Sequence, residues 1–513
     1  MNAFRTVEER SEPAIAGSRA PLALVIGTGF GGLATAIRLS CSGWRVRMVD
    51  KLDGPGGRAY THLQDGFSFD AGPTIITAPF LLEELWAMCG KRMADHIDLR
   101  PMDPFYRIRF DDGTHFDYSA DEAAMIAQIE RLEPRDVAGF KRLMQDAETC
   151  RRIGFEGMGT KAFDSFTDLL AALPGFARMG AWRSIYSLVA SRLSHPKLRT
   201  VMSFHPLLIG GNPFAVTSAY SLIHSLERNW GVHSAIGGTG AVVRGLADLA
   251  VDRGVRIEYN RPVRRIRVEG GRARGVEMED GEFIAADIVV SNADTAWTYR
   301  HLIEPQHRPH WTDHRIARGK YSMGLFVWYF GTRGQYPEVP HHMLILGPRY
   351  RELLQDIFKR KILAKDFSLY LHRPTATDPS VAPAGCDTFY ALSPVPHLDS
   401  GTDWSEHAEP YRQAICEVLE ASVLPGLSQR VVTSRVTTPQ TFHDRLWSYK
   451  GAGFGLEPLL TQSAWFRPHN RSEDVQGLYL VGAGTHPGAG IPGVLMSAKA
   501  LETVLPRAET LHA

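Results

Sequence analysis

Cysteine is scarce and unpatterned: Cys41, Cys89, Cys150, Cys386 and Cys416 lie far apart, with no Cys-x-x-Cys pair. That spacing speaks against a zinc site and a disulfide framework, and it suits a reducing compartment. No metal is expected. Net charge is nearly absent too, at +1 from 57 Lys and Arg against 56 Asp and Glu. A general nucleic-acid binder needs a large basic excess, so no nucleic-acid partner is expected. No run reaches the roughly 18 apolar residues that a membrane-spanning helix requires. Residues 1–20 are polar and mixed in charge, with Pro13 and no apolar centre; they read as a disordered tail and not as a secretory signal.

A further absence is local. Residues 169–226 contain no Asp or Glu, although Arg178, Arg183, Arg192, Lys197 and Arg199 fall inside. After an expected break at Pro174-Gly175, Phe176, Met179, Trp182, Ile185, Tyr186, Val189 and Leu193 recur at helical spacing. An acid-free helix with Trp and Phe on one face and arginines around it suits a membrane interface. The same stripe also suits a helix facing a core.

Glycine, by contrast, is abundant where it carries chemistry. An apolar run at residues 22–26 reads as a buried parallel strand, and it leads into Gly27-Thr28-Gly29-Phe30-Gly31-Gly32 and a helical stripe ending near Gly43. A second β-like run, residues 45–49, ends in Asp50 and Lys51. Strand, glycine turn, helix, strand and acid within about 30 residues form a dinucleotide-binding fingerprint. Gly27 allows the tight turn, Gly29 lets a pyrophosphate approach the backbone, and Gly32 lets helix and strand pack closely. The helix N-terminus favours phosphate, and Asp50 accepts from ribose hydroxyls.

Two more segments point to a flavin. Gly56-Gly57-Arg58 and Phe69-Asp70-Ala71-Gly72-Pro73-Thr74 follow the acid. They resemble the flavin amine-oxidase and carotenoid-desaturase superfamily, in which the arginine faces the cofactor phosphate. At the other end, an apolar strand leads into Gly482-Ala483-Gly484-Thr485 and on to Gly490-Ile491-Pro492-Gly493-Val494, where a helix begins. Such a turn lets backbone lie flat on a ring system, and the helix N-terminus stabilises negative charge there. The cofactor is read as FAD, in a domain assembled from distant segments. Strands are expected at residues 255–259, 263–268, 274–278 and 288–290, with Gly270-Gly271 and Asp280-Gly281 as hairpin turns. In the superfamily a backbone group near Val263 meets the adenine.

The ordered set of motifs is more specific. The three N-terminal segments, Leu207-Leu208-Ile209-Gly210-Gly211-Asn212-Pro213-Phe214, Trp230-Gly231-Val232, Ser291-Asn292-Ala293-Asp294, Gln462 to Asn470 and the C-terminal turn together resemble the bacterial-type phytoene desaturases over nearly the whole chain. The resemblance implies an α/β (α+β overall) fold with a Rossmann-like FAD domain (21–80, 235–300 and 475–508), a β-rich substrate domain (81–130 and 301–474) and a helical membrane-associating region (131–234). It implies stepwise dehydrogenation of phytoene to neurosporene or lycopene, hydride passing to flavin N5 and a proton leaving the neighbouring carbon. It implies quinone or oxygen as electron acceptor, and a peripheral place on the cytoplasmic side of a membrane.

This chain departs from the pattern at Asp50, where many relatives carry Glu, and at Thr485, where other branches carry an acid. Tunnel candidates are residues 323–330 and 456–466. For the proton acceptor the family points to Asp168, the last acid before the acid-free stretch, although an arginine accompanying it in some relatives is Ala171 here; His486 is a second candidate. The rival readings are another carotenoid desaturase or isomerase and a non-redox prenyl-lipid escort protein of the same fold.

Overall fold

Leu22–Ile26, apolar throughout and buried beyond its first residue, is the central strand of a five-stranded parallel sheet. Across the sheet the order is Leu478–Leu480, Ile288–Ser291, Leu22–Ile26, Arg45–Val49, Arg256–Glu258. Near-continuous apolar strands of this kind are buried on both faces, here by helices on one and by a β-meander on the other. Phe30–Cys41, Gly238–Asp252 and Ile491–Glu502 share one core with it. Phe30–Cys41 sits so close that a Cβ on Gly32 would fall 2.1 Å from the carbonyl oxygen of Gly27. The computed structural model describes residues 20–510, so the expected tail lies, but for Ala20, outside the described residues.

The helix Phe80–Met88 contributes Leu81, Leu82, Leu85 and Trp86 to that same core. The boundary drawn from sequence at residue 80 therefore cuts through a continuous packing unit. Beside the parallel sheet, Val263–Glu269, Arg272–Met278 and Phe283–Ala285 form an antiparallel meander.

The second large element is a seven-stranded mixed sheet ordered Val431–Thr437, Gly324–Arg333, Cys386–Val395, Leu369–His372, His342–Ile345, Tyr106–Arg109, His115–Tyr118. The long strand Gly324–Arg333 is covered on both faces. Phe326, Trp328 and Phe330 enter one core, while Leu325, Val327 and Tyr329 enter another, following the two-residue alternation of a strand.

A helical layer completes the fold, chiefly Asp136–Cys150, Phe166–Arg178, Ile185–Ala190 and Leu222–Trp230. Pro174 does not end a helix but lies inside Phe166–Arg178, and the chain turns after Arg178 instead. The stripe read as one helix is thereby split. Met179 is buried, and Ile185, Val189 and Leu193 join Phe140 and Leu143 in a core, whereas Trp182 stands 73% exposed. Among the described residues, no helix is long and apolar enough to cross a membrane. Folding also brings Cys41 and Cys89 together, with sulfurs 3.8 Å apart, a proximity that their spacing does not announce.

Candidate active site

A cavity of about 470 Å³ reaches from the glycine turns of the parallel sheet to the face of the seven-stranded sheet. Gly27, Gly29, Phe30 and Gly31 enter its wall from the first turn, with Asp50 and Lys51 from the end of the second strand. Gly57 and Arg58, then Gly72, Pro73 and Thr74, form an adjoining stretch. Val263 closes one side, and Gly490, Ile491, Pro492 and Val494 close another. Segments more than 400 residues apart thus meet around one space.

Three of the expected residues shape this wall without lining it. Gly32 holds the first helix against its strand. Gly484 makes room for Thr295, whose hydroxyl oxygen would lie 1.9 Å from an added Cβ. Thr485 is fully buried, its hydroxyl donating to the Gly482 carbonyl at 3.1 Å and lying 2.7 Å from Ser497 Oγ.

The polar groups facing the cavity suit a dinucleotide. The helices Phe30–Cys41 and Ile491–Glu502 begin at its wall, after Gly29 and Gly490, and so present free N–H groups and positive dipole ends. Asp50 is held in place by the Thr28 amide and hydroxyl, which donate to Oδ2 at 2.7 and 2.6 Å, and by the Leu52 amide, which donates to Oδ1 at 2.9 Å. Arg58 donates to Ser448 Oγ at 3.1 Å and lies 3.6 Å from Asp294, but its buried Nε has no partner. A half-buried guanidinium with a spare, buried Nε beside a glycine cradle is a fitting counterpart for phosphate.

Two residues here were not read from the sequence as cofactor ligands. Asn292 fills the space that three glycines leave: a Cβ on Gly29, Gly31 or Gly482 would come within 2.6–2.9 Å of its side-chain amide. Trp447 adopts φ +53°, lies stacked 5.1 Å from Trp297, and carries the Lys51 ammonium 3.8 Å above its ring. Burial lowers the Lys51 ammonium to a pKa of about 8, against the pull of Asp50. Asn292 lay in a motif already noted; Trp447 gave no local signal.

Away from the glycine turns the wall is apolar: Leu207, Ile223, Leu226, Leu344, Leu369 and Leu392 are representative. Of the two tunnel candidates, 323–330 contributes Met323 and Leu325, with Phe326, Trp328 and Phe330 turned into the opposite core. From 456–466 no residue lines the cavity; the nearby Gly453 and Phe454 do. Against this apolar lining stand Thr74, Tyr370, Tyr390 and Glu227.

Asp168 occupies a helix cap. Its Oδ2 accepts from the Ser165 amide at 3.1 Å and hydroxyl at 2.5 Å, closing a capping box at the start of Phe166–Arg178, and it does not line the cavity. His486 lies behind the wall, its Nε2 3.0 Å from the Met158 carbonyl and its ring edge-on to Phe163; burial lowers it to about 4, so it is neutral. Another group unforeseen from sequence, His341, His342 and His372, clusters at the paired ends of two strands of the seven-stranded sheet, all three buried. They bond to their surroundings as neutral imidazoles: His341 and His372 approach to 3.0 Å, and His342 Nδ1 lies 2.6 Å from the Tyr370 hydroxyl.

Comparison with known proteins decides the lineage. The family of flavin-containing amine oxidoreductases matches over residues 30–500. The chain is 50% identical over 496 residues to a neurosporene-forming phytoene desaturase of Cereibacter sphaeroides, covering 96% of each protein. It is 47% identical to a lycopene-forming phytoene desaturase of Pantoea ananas, covering 93% of this chain and 97% of that one. The chain belongs to the bacterial-type phytoene desaturases, a branch of the flavin-containing amine oxidoreductases. The fold recurs in an oxidoreductase crystal structure from Methanosarcina mazei, with a TM-score of 0.65 at 17% identity, covering 94% of this chain and all of that one. Membership makes FAD the cofactor of this desaturase, and the acid, the guanidinium, the glycine cradles and the two helix ends are the groups suited to hold it.

Proposed function

We propose that the protein dehydrogenates phytoene stepwise to neurosporene or lycopene. The observation that carries this reading is the continuity of the cavity: one space joins the dinucleotide-type wall to a largely apolar lining of the kind that suits a hydrocarbon. The relatives that form neurosporene and lycopene stand behind the two end products.

FAD bound at the glycine turns supplies a two-electron acceptor for hydrogen removed beside a conjugated triene. The protein's own contribution is to place and to shield. Leu207, Leu226, Met323 and Leu392 offer no polar group to the substrate, so they align it by shape and keep water out. Asp50, Arg58 and the first glycine turn hold the dinucleotide end, and Gly490 to Val494 bring a helix N-terminus to the ring end.

The substrate lives in lipid, and a surface patch suits docking there. Phe166, Leu170 and Leu173 follow helical spacing on Phe166–Arg178 and are 60%, 50% and 50% exposed; exposed Phe466 joins them through Trp465, whose ring meets Phe166, and exposed Trp182 follows the helix end in sequence, with Arg178 and Arg183 beside it in the chain. We infer a peripheral enzyme on the cytoplasmic face of a membrane, wetted apolar residues entering the interface and basic ones meeting lipid headgroups. Bound FAD would supply the two-electron chemistry there, with a membrane quinone or oxygen as the proposed final acceptor.

The test is incubation of the purified protein with FAD, phytoene-loaded liposomes and either a quinone or air, followed by chromatography. Coloured polyenes with added double bonds, dependent on FAD and lipid, support the reading and tell neurosporene from lycopene. Unchanged phytoene with consumption of a more desaturated carotenoid moves the substrate to a later intermediate. A colourless protein that takes up no FAD overturns the reading in favour of a non-redox prenyl-lipid escort.

A further inference from the structure

One carboxylate in the apolar wall has no structural reason to be charged. Glu227, on the helix Leu222–Trp230, is 1% exposed and lines the cavity. Its Oε1 accepts from the Tyr106 hydroxyl at 2.6 Å, while its Oε2 makes no hydrogen bond. The nearest group to Oε2 is His205 Nε2 at 3.2 Å, outside hydrogen-bonding geometry, and both ring nitrogens of His205 are without partners. Among the described residues no Lys or Arg pairs with Glu227.

Its surroundings are titratable but uncharged. Tyr106 and Tyr118 reach in from Tyr106–Arg109 and His115–Tyr118, His205 from the turn His205–Ile209, and His224 from the same helix. Burial lowers both His205 and His224 to about 3, so each is a neutral imidazole at any working pH. Tyr118 lies 2.7 Å from His224 Nδ1, and the two imidazole rings are 4.3 Å apart. Arg228, next along the helix, turns outward to Glu122.

Burying an unpaired carboxylate costs several kcal/mol where an apolar or amide side chain of similar size costs little. A purely structural position facing a hydrocarbon is better served by Gln or Leu. The place of Glu227 also fits chemistry. From Tyr106 the ring contact to His342 leads to Tyr370, whose hydroxyl lies 2.8 Å from Thr74 Oγ1, and Tyr390 donates to the Gly72 carbonyl at 3.2 Å. A band of polar groups therefore ties Glu227 to the Gly72-Pro73-Thr74 stretch on the cofactor side.

We propose that Glu227 is the proton acceptor of the desaturation, its free Oε2 taking the proton from the carbon next to the one that gives up hydride. This rests on the desaturase reading above. Each round removes two hydrogens from neighbouring carbons. One leaves as hydride with both electrons of its C–H bond, and FAD is reduced by that pair. The other C–H bond breaks toward carbon, its electron pair becoming the new π bond, while the proton forms an O–H bond on Glu227. The carboxylic acid releases its proton to water before the next round. Burial, opposed by the Tyr106 hydrogen bond, raises the group to a pKa of about 7, where an acceptor is both free and basic enough to work.

The experiment has two arms on the holoenzyme. In the first, Glu227→Gln and Glu227→Asp are compared with the wild type across pH. A base must be deprotonated, so wild-type kcat falls as pH drops through about 7. Glu227→Gln loses about 10²–10⁴-fold in kcat and the pH dependence, with KM for phytoene and bound FAD unchanged, and Glu227→Asp recovers part of both. In the second arm, infrared difference spectra of the substrate-free holoenzyme follow the carbonyl stretch of a protonated carboxylic acid. The component of that band lost as pH rises through about 7 is smaller in Glu227→Gln than in the wild type, Glu457 supplying what remains. An active wild type whose Glu227→Gln variant keeps its turnover and pH profile overturns the proposal, as does a titrating band that the substitution leaves unchanged. A wild type that leaves phytoene untouched while the band titrates overturns the desaturase reading and, with it, this role.

Discussion

The guanidinium of Arg58 lies 3.6 Å from the carboxylate of Asp294, yet its buried Nε has no partner. Asp294 fixes the arginine and leaves it a donor to spare. Arg58→Met removes a charged hydrogen-bond donor worth about 1.5–3 kcal/mol, which weakens FAD binding roughly 10- to 100-fold. Fluorescence titration of the apoprotein with FAD measures this, and Arg58→Lys, which keeps the charge but not the fork, falls in between.

Gly32 offers a steric test. A Cβ there would sit 2.1 Å from a backbone carbonyl, which cannot yield without moving strand from helix. Gly32→Ala is expected to purify without flavin or not to fold. Gly254→Ala is the control, since nothing lies within 4 Å of its added methyl; its positive φ alone costs about 1 kcal/mol and leaves flavin absorbance intact.

Asp168→Asn separates capping from chemistry. The amide oxygen still accepts from Ser165, so stability falls by about 0.5–1 kcal/mol at most. Turnover in detergent and vesicle binding stay at the wild-type level. A variant that folds, binds vesicles and FAD, and yet loses turnover would return Asp168 to the reaction.

The membrane face is tested by charge. Leu173→Asp with Trp182→Asp removes two exposed apolar groups, each contributing about 1.5–3 kcal/mol if fully withdrawn from water. Sedimentation with anionic vesicles is expected to drop at least tenfold. Turnover with phytoene presented in detergent does not change, because neither residue lines the cavity.

Acid stability follows from the buried histidines. His205 and His224 are lowered to about 3, and His62, His341, His397 and His486 to about 4, each mainly by burial. The unfolded chain takes up these protons near pH 6.5 and the folded one does not, so stability is complete above pH 6.5 and is lost as pH falls below it. Each group contributes about 1.4 kcal/mol per pH unit in that window. Glu227 and Glu457, raised to about 7, act in the opposite sense but are outnumbered. The unfolding midpoint is therefore expected to fall steeply between pH 6.5 and pH 5; a flat profile would show that the histidines are not neutral in the fold.

The cofactor wall was legible because its logic is local. Gly27, Gly29, Gly31 and Asp50 act within one strand-turn-helix-strand unit, where spacing alone fixes what faces what. The hairpin of residues 263–278 followed equally from alternation and its turn glycines, whereas the short third strand of the meander, Phe283–Ala285, was not read. The stripe from Phe176 to Leu193 misled because periodicity cannot tell a helix lying on lipid from short helices folded into a core. The exposed apolar residues Phe166, Leu170 and Leu173 lie ahead of that stripe, before a proline that sits inside the helix without ending it. Glu227, Tyr106 and Trp447 were out of reach for a different reason. Their meaning comes from partners brought together by two sheets, and Glu227 in sequence is an ordinary acid between Leu226 and Arg228.

The parallel sheet has an implication for biosynthesis. Its central strand Leu22–Ile26 is synthesised more than 450 residues before its edge strand Leu478–Leu480 and the turn that closes the cavity. Until that strand and turn are made, the sheet lacks a neighbour on one side and the flavin has no complete seat. Loading must wait for them, and the nascent chain carries an open strand edge and an uncovered hydrocarbon lining over that whole interval.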